Sequence, residues 1–289
     1  MDIPELKAFV AIAETGSFSE AADRLFITQP AVSKRMAALE SELDTPLFDR
    51  IGRGIQLTEA GATLLPQSRE ILVRMGDLRK TADNLHGRVA GGLDMATSHH
   101  IGLHRLPPAL RAFTQAYPDV ELNLEFLASE VACDAVLTGR LELALVTLPT
   151  TPDAQLNITP VWSDPLCLVA GHDHPLAKRK SVKPEELVTF PAILPGPDTV
   201  TRAEVIHALG ESGNNLTIRM TSNYLEVLKT LASIGLGWSA LPKTMIDDSL
   251  SMVHVNKIEI ERQLGIVTHR GRTLSNAAQC MIKTIQGCA

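Results

Sequence analysis

The chain has 289 residues, 45% hydrophobic and 21% charged, which is more than one compact domain holds and enough to bury two or three cores. No apolar run reaches the roughly 18 residues of a membrane span, and the acidic start Met1-Asp2-Ile3-Pro4-Glu5 does not resemble a signal peptide, so a cytoplasmic protein with no membrane partner is expected. A net charge of −6 argues by itself against nucleic acid, and the first 60 residues carry six Lys/Arg (Lys7, Arg24, Lys34, Arg35, Arg50, Arg53) against ten Asp/Glu, so only the local placement of those cations can decide.

Residues 4 to 15 read as a helix with Pro4 in its first turn, Leu6, Phe9, Val10 and Ala13 at helical spacing, and Gly16 as its end. Ser19 is expected to cap a short second helix, Glu20 to Phe26, with Ala21, Ala22 and Leu25 inward. Thr28 caps a third, running to about Leu43, with Pro30 in the first turn and Ala31, Val32, Met36 and Leu39 as the apolar stripe. Two short helices joined by a tight turn, the second carrying Ser33, Lys34 and Arg35 between apolar positions, have the helix-turn-helix layout. Leu47 to Thr58, with short apolar runs on either side of Gly52-Arg53-Gly54, predicts a two-stranded wing with a basic tip. From Thr58 or Glu59 a long helix continues to about His86. Its Ile71, Met75, Leu78, Ala82 and Leu85 are spaced 4, 3, 4, 3, a heptad seam suited to pairing two chains. Pro66 should bend or tighten its early part, and Gly87 to Gly92 is the expected linker.

From Leu93 onward, strand-like and helix-like segments alternate. Strands are expected at Leu93–Ala96, Val120–Phe126, Leu143–Val146, Leu166–Ala170, Leu216–Met220, Trp238–Leu241 and Gln263–Val267, and helices at Leu106–Ala116, Val131–Leu137, Arg202–Leu209, Leu225–Ile234 and Ala277–Ile285. Such alternation predicts α/β layers around mostly parallel sheets, and about 200 residues suggest two subdomains with a cleft between them. The domain plan is therefore 1–58 as a winged helix-turn-helix, 59–87 as a linker and dimerisation helix, and 88–289 as a two-subdomain α/β part. Subdomain I takes about 92–163 and 268–289, and subdomain II about 164–267.

The sequence resembles a LysR-type transcriptional regulator over its whole length. The motifs are densest over residues 4 to 65: Leu6-Lys7-Ala8-Phe9, Gly16-Ser17-Phe18-Ser19, Ala21-Ala22, Thr28-Gln29-Pro30-Ala31-Val32-Ser33-Lys34, Leu39-Glu40, Leu47-Phe48-Asp49-Arg50 and Leu57-Thr58-Glu59-Ala60-Gly61. Echoes follow at Leu106-Pro107, Phe113, Tyr117-Pro118, Gly235-Leu236-Gly237 and Leu241-Pro242. The resemblance implies an α/β fold class with a winged helix-turn-helix, a linker helix, and two subdomains like those of periplasmic binding proteins. It also implies a homotetramer, built as a dimer of dimers, on double-stranded promoter DNA, answering to a small-molecule effector. No cofactor is expected.

The expected DNA contacts are Thr28, Gln29, Pro30, Ser33, Lys34 and Arg35 around the third helix, in the major groove, and Arg53 between glycines as a minor-groove probe. Glu40, Glu42 and Asp44 must then face away from the DNA. The resemblance places the effector in the cleft, against Ser98, His99, His100, Thr147, Thr199, Thr201 and Arg202. Hydroxyls, imidazoles, an arginine and helix N-termini suit an anion. Ala96-Thr97-Ser98-His99 is similar to the Ala-Thr-Thr-His string of sulfate-binding members of the family.

Two variants of the same architecture stand beside this reading. His99, His100 and His104 raise a metal-responsive one, although their spacing matches no standard zinc pattern and no metal ligand is assigned. A redox-responsive one needs an activated thiol. Cys133, Cys167, Cys280 and Cys288 are scattered, and none falls between Thr199 and Leu209, where peroxide-sensing relatives carry one. A cytoplasmic enzyme is the rival from another class. It lacks a nucleophile elbow, a P-loop or a dinucleotide fingerprint. A solute-binding protein would share the C-terminal fold but not the N-terminal helices.

Overall fold

Asp2 opens the first helix, α1 (Ile3–Thr15), with a reciprocal pair of bonds: its carboxylate accepts from the Glu5 N–H and Glu5 accepts from the Asp2 N–H. Gly16, at φ 66°, closes it. The computed structural model describes residues 1–51, 54–85, 87–256 and 258–289. They divide into two units, Met1–Gly87 and Arg88–Ala289.

In the first unit α2 spans Phe18–Arg24, and its cap is Ser17 rather than Ser19. The Ser17 hydroxyl accepts the Glu20 N–H at 3.3 Å, and Phe18 packs edge-on against Phe48, so the helix starts two residues earlier than expected. It also stops earlier, because Phe26 adopts a left-handed φ of 54°. Thr28 then introduces α3 (Gln29–Leu43), and Asp44, left-handed as well, ends it. The wing pairs β1 (Phe48–Ile51) with β2 (Gly54–Leu57), antiparallel, Phe48 opposite Leu57. α4 (Glu59–Leu85) runs through Pro66 without interruption. Gly61 is required at its start: a Cβ there would sit 2.2 Å from the Leu47 carbonyl oxygen. Phe9, Ile12, Val32, Met36, Leu39, Leu47 and Leu65 form one buried core.

The second unit opens with β3 (Gly91–Thr97), which takes up Gly91 and Gly92 of the expected linker. Then follow α5 (His99–His104), α6 (Pro107–Ala116), β4 (Val120–Phe126), α7 (Ser129–Leu137), β5 (Leu143–Thr147) and β6 (Leu156–Ala170). The chain continues through α8 (Pro184–Leu187), β7 (Ala192–Leu194), α9 (Val200–Ala208), β8 (Ile218–Thr221), α10 (Leu225–Ser233) and β9 (Ser239–Pro242). It ends with β10 (Ser251–Met252), β11 (Ile260–His269) and α11 (Asn276–Gly287). α5 had not been foreseen as an element, nor had β7, β10 or the first ten residues of β6, which hold Pro160 and Pro165.

The sheet is mixed rather than mostly parallel. β3 lies parallel to β4 and β5, but β11 runs antiparallel to both β5 and β6. The two long strands β6 and β11 carry the chain between two cores. Leu156 and Ile158 pack in subdomain I, whereas Leu166 and Leu168 pack in subdomain II. On the way back, Ile260 belongs to subdomain II, while Leu264 and Ile266 pack with Leu93, Met95, Phe113 and Met281 of subdomain I. The return crossing thus falls near Arg262, a few residues before the boundary drawn at 268. At this point the strands are irregular, with a register shift between Leu264 and Gly265, and a Cβ on Gly265 would meet the Thr159 carbonyl oxygen at 2.3 Å.

Candidate functional site

In the first unit, Val32, Met36 and Leu39 turn α3 onto the core, which leaves Thr28, Gln29, Pro30 and Lys34 exposed and Ser33 and Arg35 half-buried. Gln29 Nε2 donates to Ser33 Oγ at 2.9 Å, so these two polar groups are held together on one face. Thr28 makes no side-chain cap bond, and its hydroxyl is not consumed by the helix it introduces. Arg24 and Arg69 both pair with Glu14, but among the described residues Lys34 and Arg35 have no ion-pair partner. The acids that had to point elsewhere are engaged. Glu40 accepts from the Leu47 and Phe48 N–H groups of the wing, at 2.7 and 3.3 Å. Glu42 pairs with the amino terminus, and Asp44 lies at the far end of α3 from Thr28. An acidic unit thereby presents a cationic face. Arg53 lies outside the described residues.

The second unit holds a cleft of about 280 Å³ between its subdomains, a volume suited to a small molecule. Ser98, His99, His100, Thr147, Thr199 and Thr201 all line it, although they come from three separated segments. The cause is topological: Ser98 follows the end of β3, Thr147 ends β5, and Thr199 caps α9 from the opposite subdomain. Arg202 is not a lining residue. Its Nη1 reaches back 3.5 Å to the Pro195 carbonyl of its own loop.

The hydroxyls are not equivalent. Those of Ser98 and Thr147 make no hydrogen bond among the described residues, whereas Thr199 Oγ1 accepts the Arg202 N–H at 3.3 Å and donates to the Gly196 carbonyl at 2.8 Å. Thr199 is therefore occupied as a cap. The N-terminus of α9 is occupied too: Glu130, from α7 across the cleft, accepts the Val200 N–H at 3.2 Å.

Sequence reasoning missed Arg262. It is 6% exposed, lines the cleft, and lies on β11 directly opposite Asp164 of β6, at the crossing between subdomains. Arg262 Nε donates to Asp164 Oδ2 at 2.8 Å and Nη1 to Thr201 Oγ1 at 2.6 Å. Burial lowers the affinity of this guanidinium for its proton and Asp164 opposes the effect. Asp164, 1% exposed, is also approached by Arg105 at 3.8 Å. A strand-phase signal was available in the sequence: Ile260, Arg262 and Leu264 share the inward side of β11, so Arg262 takes an apolar position.

Aromatic rings form the mouth. His99 stacks edge-on against Phe126 at 5.9 Å and Tyr224 at 5.2 Å, and the ring of Phe126 fits because residue 102 is glycine, where a Cβ would meet it at 2.4 Å. Asn223 supplies an amide, its Oδ1 accepting the Gly196 N–H at 2.9 Å. His100 is buried. Burial first, then the neighbouring Arg262 and His104, hold its pKa down to about 3, so it is neutral at physiological pH.

The four thiols differ in exposure: Cys167 and Cys280 are half-buried and Cys288 is exposed. Cys133 is buried, its pKa pushed up to about 11 by burial and then by Glu130 and Asp134, and burial also raises that of Cys167. Among the described residues no helix is long and apolar enough to cross a membrane.

Residues 3–62 match the model of the bacterial regulatory helix-turn-helix protein, lysR family, and residues 86–288 match that of the LysR substrate binding domain. The chain belongs to the LysR family. It is a LysR-type transcriptional regulator. It is 31% identical over 298 residues to a probable RuBisCO transcriptional regulator of Synechocystis sp., covering 98% of this chain and 86% of that one. Over 108 residues it is 62% identical to an HTH-type transcriptional regulator of Azotobacter vinelandii, covering 37% of this chain and 75% of that one. Its fold is also that of full-length OxyR from Pseudomonas aeruginosa, with a TM-score of 0.75 at 24% identity over 100% of this chain and 96% of that one. Within this family plan, the first unit of the regulator is its helix-turn-helix part and the cleft lies inside its two-subdomain α/β part.

Proposed function

We propose that this regulator binds promoter DNA through α3 and the wing, and that a small effector bearing an anionic group binds in the cleft and controls it. The observation that carries the effector reading is Arg262, a buried cation in the wall of the cleft that the unbonded hydroxyl of Ser98 also lines. Asp164 and Thr201 take its Nε and Nη1, and the remaining nitrogen is available to a carboxylate or oxyanion. The Asn223 amide and Thr147 hydroxyl extend this polar wall, and His99, Phe126 and Tyr224 suit an apolar or planar remainder. The α9 N-terminus contributes less than its position promises, because Glu130 already holds it.

Arg262 sits where β6 and β11 pass between the cores, so an anion that draws on it alters the balance among Asp164, Thr201 and Arg105 at the crossing. That is how binding reaches the relative position of the subdomains. We further infer pairing through α4 and a tetrameric assembly. Leu78 and Leu85 of the predicted seam are 72% and 84% exposed in the single chain, apolar surface that a partner helix would bury. Burial raises the Cys133 and Cys167 thiols rather than activating them, so these two give a redox-responsive reading no support.

The effector reading is tested by calorimetric titration of the regulator with candidate metabolite anions, comparing the native chain with Ser98→Ala. A loss of affinity of about 1 kcal/mol, the worth of one hydrogen bond, is expected. Equal affinity in both proteins would place the ligand elsewhere.

A further inference from the structure

We propose that His100, His104 and Glu226 form a site for one divalent transition-metal ion of the zinc class, bridging the two subdomains with one coordination position open toward the cleft. His100 and His104 are four residues apart on α5, so their rings leave one face of the helix, with centroids 4.8 Å apart. Glu226 comes from the first turn of α10, in the other subdomain. One ligand atom from each of the three lies within 4.8 Å of the other two. His104 Nε2 and Glu226 Oε1 are 3.3 Å apart, close to the edge of roughly 3.3 Å that a tetrahedral site with bonds of about 2.0–2.1 Å requires.

A second, independent observation points to a ligand. His100 is 4% exposed, and among the described residues neither of its ring nitrogens has a hydrogen-bond partner; nor has the buried Glu226 Oε2. Buried polar atoms are normally paired, and three unpaired ones gathered at one point need an explanation. A plain hydrogen bond between His104 and Glu226 uses one nitrogen and one oxygen and leaves these three as they are. A metal ion takes one of the two His100 ring nitrogens and the Glu226 carboxylate in one step.

Two imidazoles and one carboxylate select zinc, cobalt or nickel over magnesium or calcium, which prefer sites made of oxygen alone. The charges facing the site are Arg262 and Arg105, both of which work against a cation, and Asp164, which pairs with each of them and offsets their field. Because His100 also lines the cleft, an ion at this site would tie α5 to α10 beside the effector pocket and couple metal occupancy to cleft closure. This inference does not depend on the effector being an anion.

The test uses the full chain, stripped with a chelator. It is titrated with Zn²⁺ in competition with a chromophoric chelator, and separately with Co²⁺ followed by visible absorption. One tight equivalent per chain is expected, with Co²⁺ d–d bands and no thiolate charge-transfer band. His104→Ala and Glu226→Gln, both at partly exposed side chains, should each weaken Zn²⁺ binding at least about tenfold and erase the Co²⁺ bands, with unchanged melting of the metal-free protein. Absence of a tight equivalent in the native chain would overturn the proposal, leaving water beside His100. Thiolate bands, which would put the ion on cysteine, or unchanged affinity in either folded variant would overturn it equally.

Discussion

The two units of this regulator place their polar chemistry in opposite ways. In the first, the side chains expected to work sit on the outside of one short helix, and the acids around them are occupied by N–H groups of the wing and by the amino terminus. In the second, the working groups are interior. Arg262 and Asp164 are buried opposite each other on the two crossing strands, and Ser98, Thr147 and Thr201 reach the cleft from segments far apart in sequence. A surface face can be altered residue by residue at little structural cost. A buried one is fused to the stability of its domain. The comparison predicts that substitutions in the first unit separate function from folding, whereas those at the crossing do not.

The largest effect is expected on the α4 seam, because a substitution there acts twice in a symmetric pair. Leu78→Asp would bury two unpaired charges at several kcal/mol each, and sedimentation or light scattering should show pairing through this helix lost. An unchanged association constant would mean that the exposed leucines are not the contact. At the crossing, Asp164→Ala strands the buried Arg262 and should cost about 3–5 kcal/mol in denaturant unfolding. A loss below about 1 kcal/mol would mean that Arg262 finds water or another partner, and the contrast between the units would weaken.

His100 sharpens the same contrast through pH. Its folded pKa lies below its unfolded value, so between roughly pH 6.5 and pH 3 the unfolded chain binds the extra proton, and stability falls as pH falls through that window. From pH 7 to pH 5 this group alone should remove about 2 kcal/mol from the metal-free protein, and His100→Gln should flatten the slope by that amount. Equal slopes would show that the ring is protonated in the fold. The smallest structural effect is expected at Lys34, whose replacement by Ala should change stability by no more than about 0.5 kcal/mol while lowering the salt slope of operator binding by about one. A large stability loss there would break the comparison from the other side.

This asymmetry also explains how much could be read from the sequence. The helix-turn-helix was legible because its determinants are local: a cap, a Pro in the first turn, apolar residues every three or four positions, and cations in the gaps. Even there, the cap is Ser17 and not the expected Ser19, with Phe18 packed on Phe48 at the start of the helix. Six of the seven expected cleft residues do line the cleft, because strand ends and helix starts of an α/β fold gather at one place. Arg202 does not, since one step along α9 rotates a side chain by about 100° and turns this one toward Pro195. Arg262 and Asp164 were overlooked because each looks like an ordinary strand charge until the register sets them opposite one another. Glu226 could not have been joined to His100 and His104 from spacing alone, because only the fold sets α10 against α5.

The central claim is that the cleft recognises an anion through Arg262 and its neighbours, and thermal melting of the intact regulator tests it most directly. A panel of small carboxylates and phosphates is compared with their neutral amides and esters, for the native chain and for Ser98→Ala. The account predicts that an anion raises the melting temperature, that its neutral counterpart does not, and that Ser98→Ala reduces the shift. An equal shift from the neutral counterpart, or an undiminished shift in Ser98→Ala, would contradict it.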